Sequence, residues 1–202
     1  MRSALPVPMP ENFARYGVVV LAAGASTRLG QSKQLLIFRD ETLVRRAARL
    51  ALETRPHEAV VVLGFDADRI SPQVADLPVR VVNCGDWRQG LGASLRAGVD
   101  ALSPSCAGVL IVLCDQPGLD ALHLLALRDR WRSAPNRAAA SFYAGRLGAP
   151  ALLPRAWFGA IDAGSDRGMR DLLVRRAERI DAVANEALAF DIDLPGDLHH
   201  LS

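Results

Sequence analysis

One stretch constrains this chain more than any other: Val18-Val19-Val20-Leu21-Ala22-Ala23-Gly24-Ala25-Ser26-Thr27-Arg28-Leu29-Gly30-Gln31-Ser32-Lys33. An apolar strand runs into a glycine turn, and the turn carries an arginine and a lysine. Backbone N–H groups around such a turn can face phosphate oxygens, because glycine has no Cβ to block the approach. Arg28 adds a planar fork of donors, and Lys33 a mobile point charge. This is the chemistry needed to hold a nucleoside triphosphate. Two better-known phosphate loops are excluded. A P-loop has Gly and Lys adjacent, then Ser or Thr; here Gln31 and Ser32 separate Gly30 from Lys33. A dinucleotide fingerprint reads G-x-G-x-x-G; Gly24-Ala25-Ser26 lacks its second glycine. The pattern that remains is L-A-A-G-x-S-x-R-x-G-x-x-K.

Beyond this loop the chain alternates apolar runs with helical patterns, which predicts an α/β fold with a largely parallel sheet. Strands are expected at Tyr16–Leu21, Ala59–Leu63, Val79–Asn83 and Val109–Leu113. Helices are expected over Thr42–Leu52, Ala67–Val74, Leu91–Ala101 and from the cap Asp120 to about Arg132. Ala138–Tyr143 and Ala149–Leu153 read as two strands joined around Gly145 and Gly148. Met169–Arg176 reads as a helix, Leu188–Ile192 as a final strand, and the end as a short helical tail. The expectation is a flexible tail over residues 1–15 and one domain over 16–202, with later elements covering the substrate side. Its class is a three-layer α/β/α Rossmann-like sandwich with a mostly parallel central sheet.

Composition narrows the function classes. The net charge of +2 gives no support for a nucleic-acid or membrane-surface protein. No apolar run approaches the ~20 residues of a membrane helix, and the proline-bearing start does not read as a signal peptide. Cys84, Cys106 and Cys114 lack C-x-x-C spacing, which suits reduced thiols in a cytoplasmic protein. His57, His123, His199 and His200 are scattered or terminal and suggest no zinc site.

The loop pattern resembles the signature of nucleotidyltransferases with a glycosyltransferase-A-like fold. Within them it looks most like the molybdenum-cofactor cytidylyltransferase branch. The resemblance extends to Leu113-Cys114-Asp115-Gln116-Pro117, an L-x-D-Q-P run at the end of a central strand, the sheet edge where ligands bind in open α/β folds. It implies that Asp115 binds Mg²⁺, which favours one or two carboxylates together with phosphate oxygens and waters. Asp191-Ile192-Asp193-Leu194-Pro195-Gly196-Asp197-Leu198 resembles the family's D-I-D-T-P-E-D-L, with Leu194 and Gly196 departing. Strand alternation puts Asp191 and Asp193 on one face, where they repel unless a cation sits beside them. Either is a candidate second metal ligand, with Asp191 slightly favoured; Asp197 reads as a helix cap. Asn83-Cys84-Gly85-Asp86-Trp87-Arg88-Gln89-Gly90-Leu91-Gly92-Ala93-Ser94-Leu95 resembles N-x-x-w-x-x-G-x-x-x-S-L. It implies a loop that closes over the nucleobase, with Gly90, Leu91 and Ser94 near it.

The acceptor half matches less well. Gly145-Arg146-Leu147-Gly148-Ala149-Pro150 carries Ala149 where the family usually has His before Pro. Ser165-Asp166-Arg167-Gly168-Met169-Arg170 keeps Asp166, Gly168 and Arg170 of G-D-x-G-A-R but changes two positions. Arg146, Pro150, Asp166 and Arg170 are the candidate acceptor contacts, with Arg167 a further clamp for a phosphorylated acceptor. The expected catalytic set is Arg28, Lys33 and Asp115, with Leu21, Ala22, Ala23 and Gly24 beside the nucleotide. L-A-A-G marks the cytidylyl branch, and the Ala23 methyl narrows the base pocket against a purine. The implied substrates are CTP and a phosphorylated pterin-type molecule, the implied cofactor Mg²⁺. Two alternatives stand: a related transferase using GTP or another phosphorylated acceptor, and a cofactor-binding chaperone serving a molybdenum hydroxylase.

Overall fold

The computed structural model describes residues 14–165 and 169–201. Its strands are β1 (Tyr16–Ala22), β2 (Ile37–Phe38), β3 (Glu41–Thr42), β4 (Glu58–Leu63), β5 (Arg80–Asn83), β6 (Gly108–Leu113), β7 (Ala138–Tyr143), β8 (Arg146–Pro154) and β9 (Ile180–Ala184). The helices are α1 (Leu43–Glu53), α2 (Ala67–Ile70), α3 (Leu91–Asp100), α4 (Ala121–Ser133) and α5 (Met169–Arg175), with 3₁₀ turns between. Seven strands form one sheet in the order β5-β4-β1-β6-β8-β7-β9, and β2 and β3 pair in a separate hairpin. The pairings β1–β4, β1–β6, β4–β5 and β7–β9 are parallel. Among the described residues of the seven-stranded sheet, only β8 runs against its neighbours.

Period-two alternation along β1 sends side chains to both sides of the sheet. Val18 and Val20 pack with α1 and α4, including the buried Trp131. Val19 and Leu21 pack with α3 and α5. Both faces are therefore covered, which explains the unbroken apolar run of β1. Two expected helix starts are real: the Asp120 carboxylate accepts the His123 N–H at 2.8 Å, and the Thr42 hydroxyl accepts that of Arg45 at 3.4 Å. After β1 the chain builds outward through β4 and β5, then crosses back to β6 on the other side of β1. The crevice between the C-terminal ends of β1 and β6 is thus a topological switch point.

The last strand is not where the sequence pattern put it. Leu188–Ile192 forms no ladder; Glu186–Ala189 is a 3₁₀ turn, begun by the Asn185 side chain accepting the Ala187 N–H at 3.1 Å. Leu188 and Ile192 are both fully buried, so their apolar pattern reported burial rather than pairing. The final strand among the described residues is β9, Ile180–Ala184, which pairs with β7. Among the described residues, no helix is long and apolar enough to cross a membrane.

Candidate active site

The loop after β1 leaves the middle of the sheet as a compact turn. The Ser26 carbonyl accepts the N–H groups of Leu29 (3.0 Å) and Gly30 (3.1 Å), and Ser26 and Gly30 both sit at positive φ. The Ser26 hydroxyl accepts the Lys33 N–H at 3.2 Å, which ties the loop's beginning to its end. Gln34, almost wholly buried, donates Nε2 to the carbonyls of Ala22 (3.0 Å) and Gly24 (2.7 Å). Ser32 donates to Asp66 on the turn after β4, at 2.5 Å. Gln34 and Asp66 went unnoticed in the sequence. A buried glutamine between Lys33 and Leu35 offers a faint signal; Asp66 offers none, because its partner lies 34 residues away.

The four central charged residues converge across the crevice. Lys33 Nζ lies 2.5 Å from Asp115 Oδ2 and 3.1 Å from Asp193 Oδ1, and Arg28 lies 3.2 Å from Asp193 Oδ2. Burial opposes the charge on Lys33, but the Asp115 and Asp193 carboxylates outweigh it and its pKa is raised. The Asp115 carbonyl accepts the Ile192 N–H at 3.0 Å, which pins the Asp191–Asp193 segment beside the end of β6. This backbone bond, and not strand alternation, brings those aspartates to the site. Asp191 is pushed up to about 6 by burial first and by the nearby Asp115 charge second. The Asp197 carboxylate accepts the N–H groups of Asp193 (2.9 Å) and Leu194 (2.7 Å), so it holds this segment from inside the following 3₁₀ helix.

Two carboxylate oxygens, Asp115 Oδ1 and Asp191 Oδ1, are buried without a hydrogen-bond partner. Buried acceptors that lack a donor suit a cation. Among the described residues no group of three or more His, Cys, Asp or Glu could hold a metal. The two unpartnered carboxylate oxygens suit a hard divalent ion only if it takes its remaining oxygens from elsewhere, such as water and phosphate.

A cavity of about 410 Å³ opens in front of the loop. Leu21, Ala22, Ala23, Gly24, Lys33 and Asp115 line one side, and Trp87, Gly90, Leu91 and Ser94 the other. A Cβ built on Gly24 would meet no protein atom, so the room beside it belongs to the cavity. Gly90 is the N-cap of α3, without a side-chain cap bond, and Ser94 lies buried inside the helix. A second cavity, of about 170 Å³, shares the walls Leu21, Leu91 and Leu113. It continues past Leu95, Ile111, Leu147 and Met169 to Arg146 and Arg170. Pro150 is buried in β8 and does not line it; Asp166 lies outside the described residues. The Pro150 carbonyl instead accepts the Ser141 hydroxyl at 2.7 Å. That hydroxyl has one proton, so it accepts from His123 Nε2, also at 2.7 Å. Burial keeps the His123 pKa low, against a weaker opposing pull from Asp120.

A family model described as MobA-like NTP transferase domain matches residues 18–180. Nicotine blue oxidoreductase of Paenarthrobacter nicotinovorans is 34% identical over 196 residues, spanning 91% of this chain and 94% of that protein. Rv0371c from Mycobacterium tuberculosis H37Rv superposes with a TM-score of 0.80 at 26% identity, covering 94% of this chain and 98% of that one. A manganese complex of Rv0371c from the same organism superposes with a TM-score of 0.74 at 25% identity, covering 93% and 97%. A triphosphate-type loop at a switch point, a carboxylate pair suited to a divalent ion and a family match over most of the chain agree: the protein belongs to the MobA-like NTP transferase family and is a nucleotidyltransferase.

Proposed function

We propose that the protein transfers CMP from CTP to the terminal phosphate of a pterin-type acceptor, molybdenum-bound molybdopterin, with release of pyrophosphate. The observation that carries this reading is the cavity of about 410 Å³, with Ala23 in its wall and the Lys33–Asp115 pair at its phosphate end. The Ala23 methyl limits the depth available to a base, which favours a pyrimidine over a purine. Gly90, Leu91 and Ser94 hold the base end, while Arg28 and Lys33 donate to the phosphates.

An acceptor phosphate oxygen attacks the α-phosphorus in line. The bond from that phosphorus to the oxygen bridging the β-phosphate breaks, and pyrophosphate keeps the electron pair. A phosphomonoester is anionic at neutral pH, so no side-chain base is needed. Lys33 and Arg28 neutralise charge that grows on the departing pyrophosphate. Asp115, with Asp191 or Asp193, would hold Mg²⁺, which when bound neutralises phosphate oxygens. Arg146 and Arg170 meet the acceptor's phosphate, Pro150 shapes the strand behind, and Asp166 is proposed as a further acceptor contact. A molybdenum hydroxylase is the proposed recipient of the finished cofactor.

Pyrophosphate release with CTP and with GTP, in Mg²⁺ and a panel of phosphorylated acceptors, tests the reading. Turnover with CTP and a pterin acceptor supports it; stronger thermal stabilisation by GTP than by CTP overturns the cytidylyl assignment. A second reading, an oxidoreductase activity, is favoured by the relative called nicotine blue oxidoreductase. Substrate-dependent consumption of NADH or NADPH, with no pyrophosphate from any triphosphate, would favour it.

A further inference from the structure

The charged cluster holds three carboxylates and two cations, and the cations are already engaged. Lys33 Nζ lies against Asp115 Oδ2 and Asp193 Oδ1, and Arg28 against Asp193 Oδ2. Asp115 and Lys33 are both mostly buried, at 16% and 15% side-chain exposure. Water screens their attraction poorly. A divalent ion approaching Asp115 on its own would have to settle beside an ammonium group.

We infer that Lys33 is a resident counter-ion of the metal carboxylates, displaced onto phosphate when a nucleotide arrives, so that metal and nucleotide each require the other to bind tightly. This rests on the nucleotidyltransferase reading above. Only the side chain needs to move. The Lys33 backbone is held by the Ser26 hydroxyl, and its neighbour Gln34 is bonded to two loop carbonyls. The four-carbon stem lies in the wall shared by the main cavity and a smaller one of about 160 Å³ lined by Gly24, Ser26, Thr27, Arg28 and Asp193. A triphosphate placed there offers the ammonium a second set of anionic oxygens. Once Lys33 turns to them, Asp115 Oδ2 is open beside the already unpartnered Asp115 Oδ1 and Asp191 Oδ1. Arg28 makes the same exchange at Asp193. Reciprocity of linked equilibria requires the effect to be equal in both directions.

The test titrates Mn²⁺ alone, read by electron paramagnetic resonance of the free ion, into wild type, Lys33→Met and Arg28→Ala. Each titration is repeated with a CTP analogue whose α,β bridge resists cleavage. Wild type should bind Mn²⁺ about tenfold more tightly with the analogue than without, and Lys33→Met should bind Mn²⁺ alone about tenfold more tightly than wild type. The same variant should bind the analogue more weakly, an opposite sign that mere structural damage would not give. Arg28→Ala should gain about threefold for Mn²⁺ alone. Arg28 is 73% exposed, so this variant keeps the fold and decides the matter if Lys33→Met fails to fold. The inference is overturned if wild type binds Mn²⁺ equally well with and without analogue, or if no folded variant gains affinity for Mn²⁺ alone. Failure of the analogue to bind wild type would instead count against the nucleotide reading, since the arms with Mn²⁺ alone involve no nucleotide.

Discussion

The cavity in front of the loop after β1 rests on main chain fixed by hydrogen bonds. Ala22 and Gly24 are fixed through their carbonyls by Gln34, Ser26 closes its own turn, and Gly90 opens α3. The neighbouring cavity takes its wall from side chains: Leu95, Ile111, Leu147 and Met169, with two arginines at the end. A backbone-built site tolerates few substitutions, because each glycine or anchoring amide has a geometric duty. A side-chain-built site can be refitted one residue at a time. The departures from the family pattern at Ala149 and Met169 fall in the second kind of site. On the proposed reading, chemistry and acceptor choice would be carried by physically different material, joined at Leu21, Leu91 and Leu113.

Substitutions can break that division or sharpen it. Asp115→Ala should lower transfer by about a thousandfold or more, since on the proposed reading it removes a ligand of the divalent ion that offsets phosphate charge. Steady-state kinetics should show the loss in kcat, with acceptor affinity unchanged by direct titration. Gly92→Ala strikes the seam between the halves. Its Cβ would stand 2.1 Å from the Asp162 carbonyl oxygen and 2.8 Å from that of Ser165, which also accepts the Gly92 N–H. Urea unfolding should register a loss of about 2 kcal/mol, and KM should rise for both substrates. Arg170→Ala should raise KM for the acceptor about tenfold and leave that for CTP alone, equivalent to about 1.4 kcal/mol of lost binding.

The smallest effect is set by His123, behind the acceptor cavity. Its folded pKa lies below the ordinary 6.5 because of burial. Between those two values the unfolded chain binds more protons than the folded one. Stability from this group is therefore complete above about pH 6.5 and declines as pH falls through and below that value. Thermal melts between pH 7.5 and 5.5 should fall more steeply for wild type than for His123→Gln, which retains a donor for Ser141.

Local features were readable in the sequence. The continuous apolar run of β1, the cap at Asp120 and the paired strands around Gly145 each depend on neighbours in the chain. Ala144 and Gly145, both at positive φ, make the tight hairpin turn between β7 and β8. What escaped depends on distant partners. The Ile180–Ala184 strand exists because β7 offers it an edge, and Leu188–Ile192 imitates a strand because two residues four apart are both buried. For the site, residue types and their grouping by motif were legible. Charge pairing was not: spacing along a chain cannot show that Lys33 touches both Asp115 and Asp193, or that Ser32 leans on Asp66.

The separations in that cluster also fix when the site can first exist. Lys33 meets Asp115 across 82 residues and Asp193 across 160. The loop after β1 is translated before its counter-charges, which follow 82 residues later for Asp115 and 160 residues later for Asp193. Contacts of such long range form slowly and reward the chain only after most of it has been ordered. A growing polypeptide that has reached β6 carries the loop and one aspartate but not the segment that completes the cluster. A product truncated before Asp193 would therefore leave Arg28 without that ion pair and Lys33 with Asp115 alone.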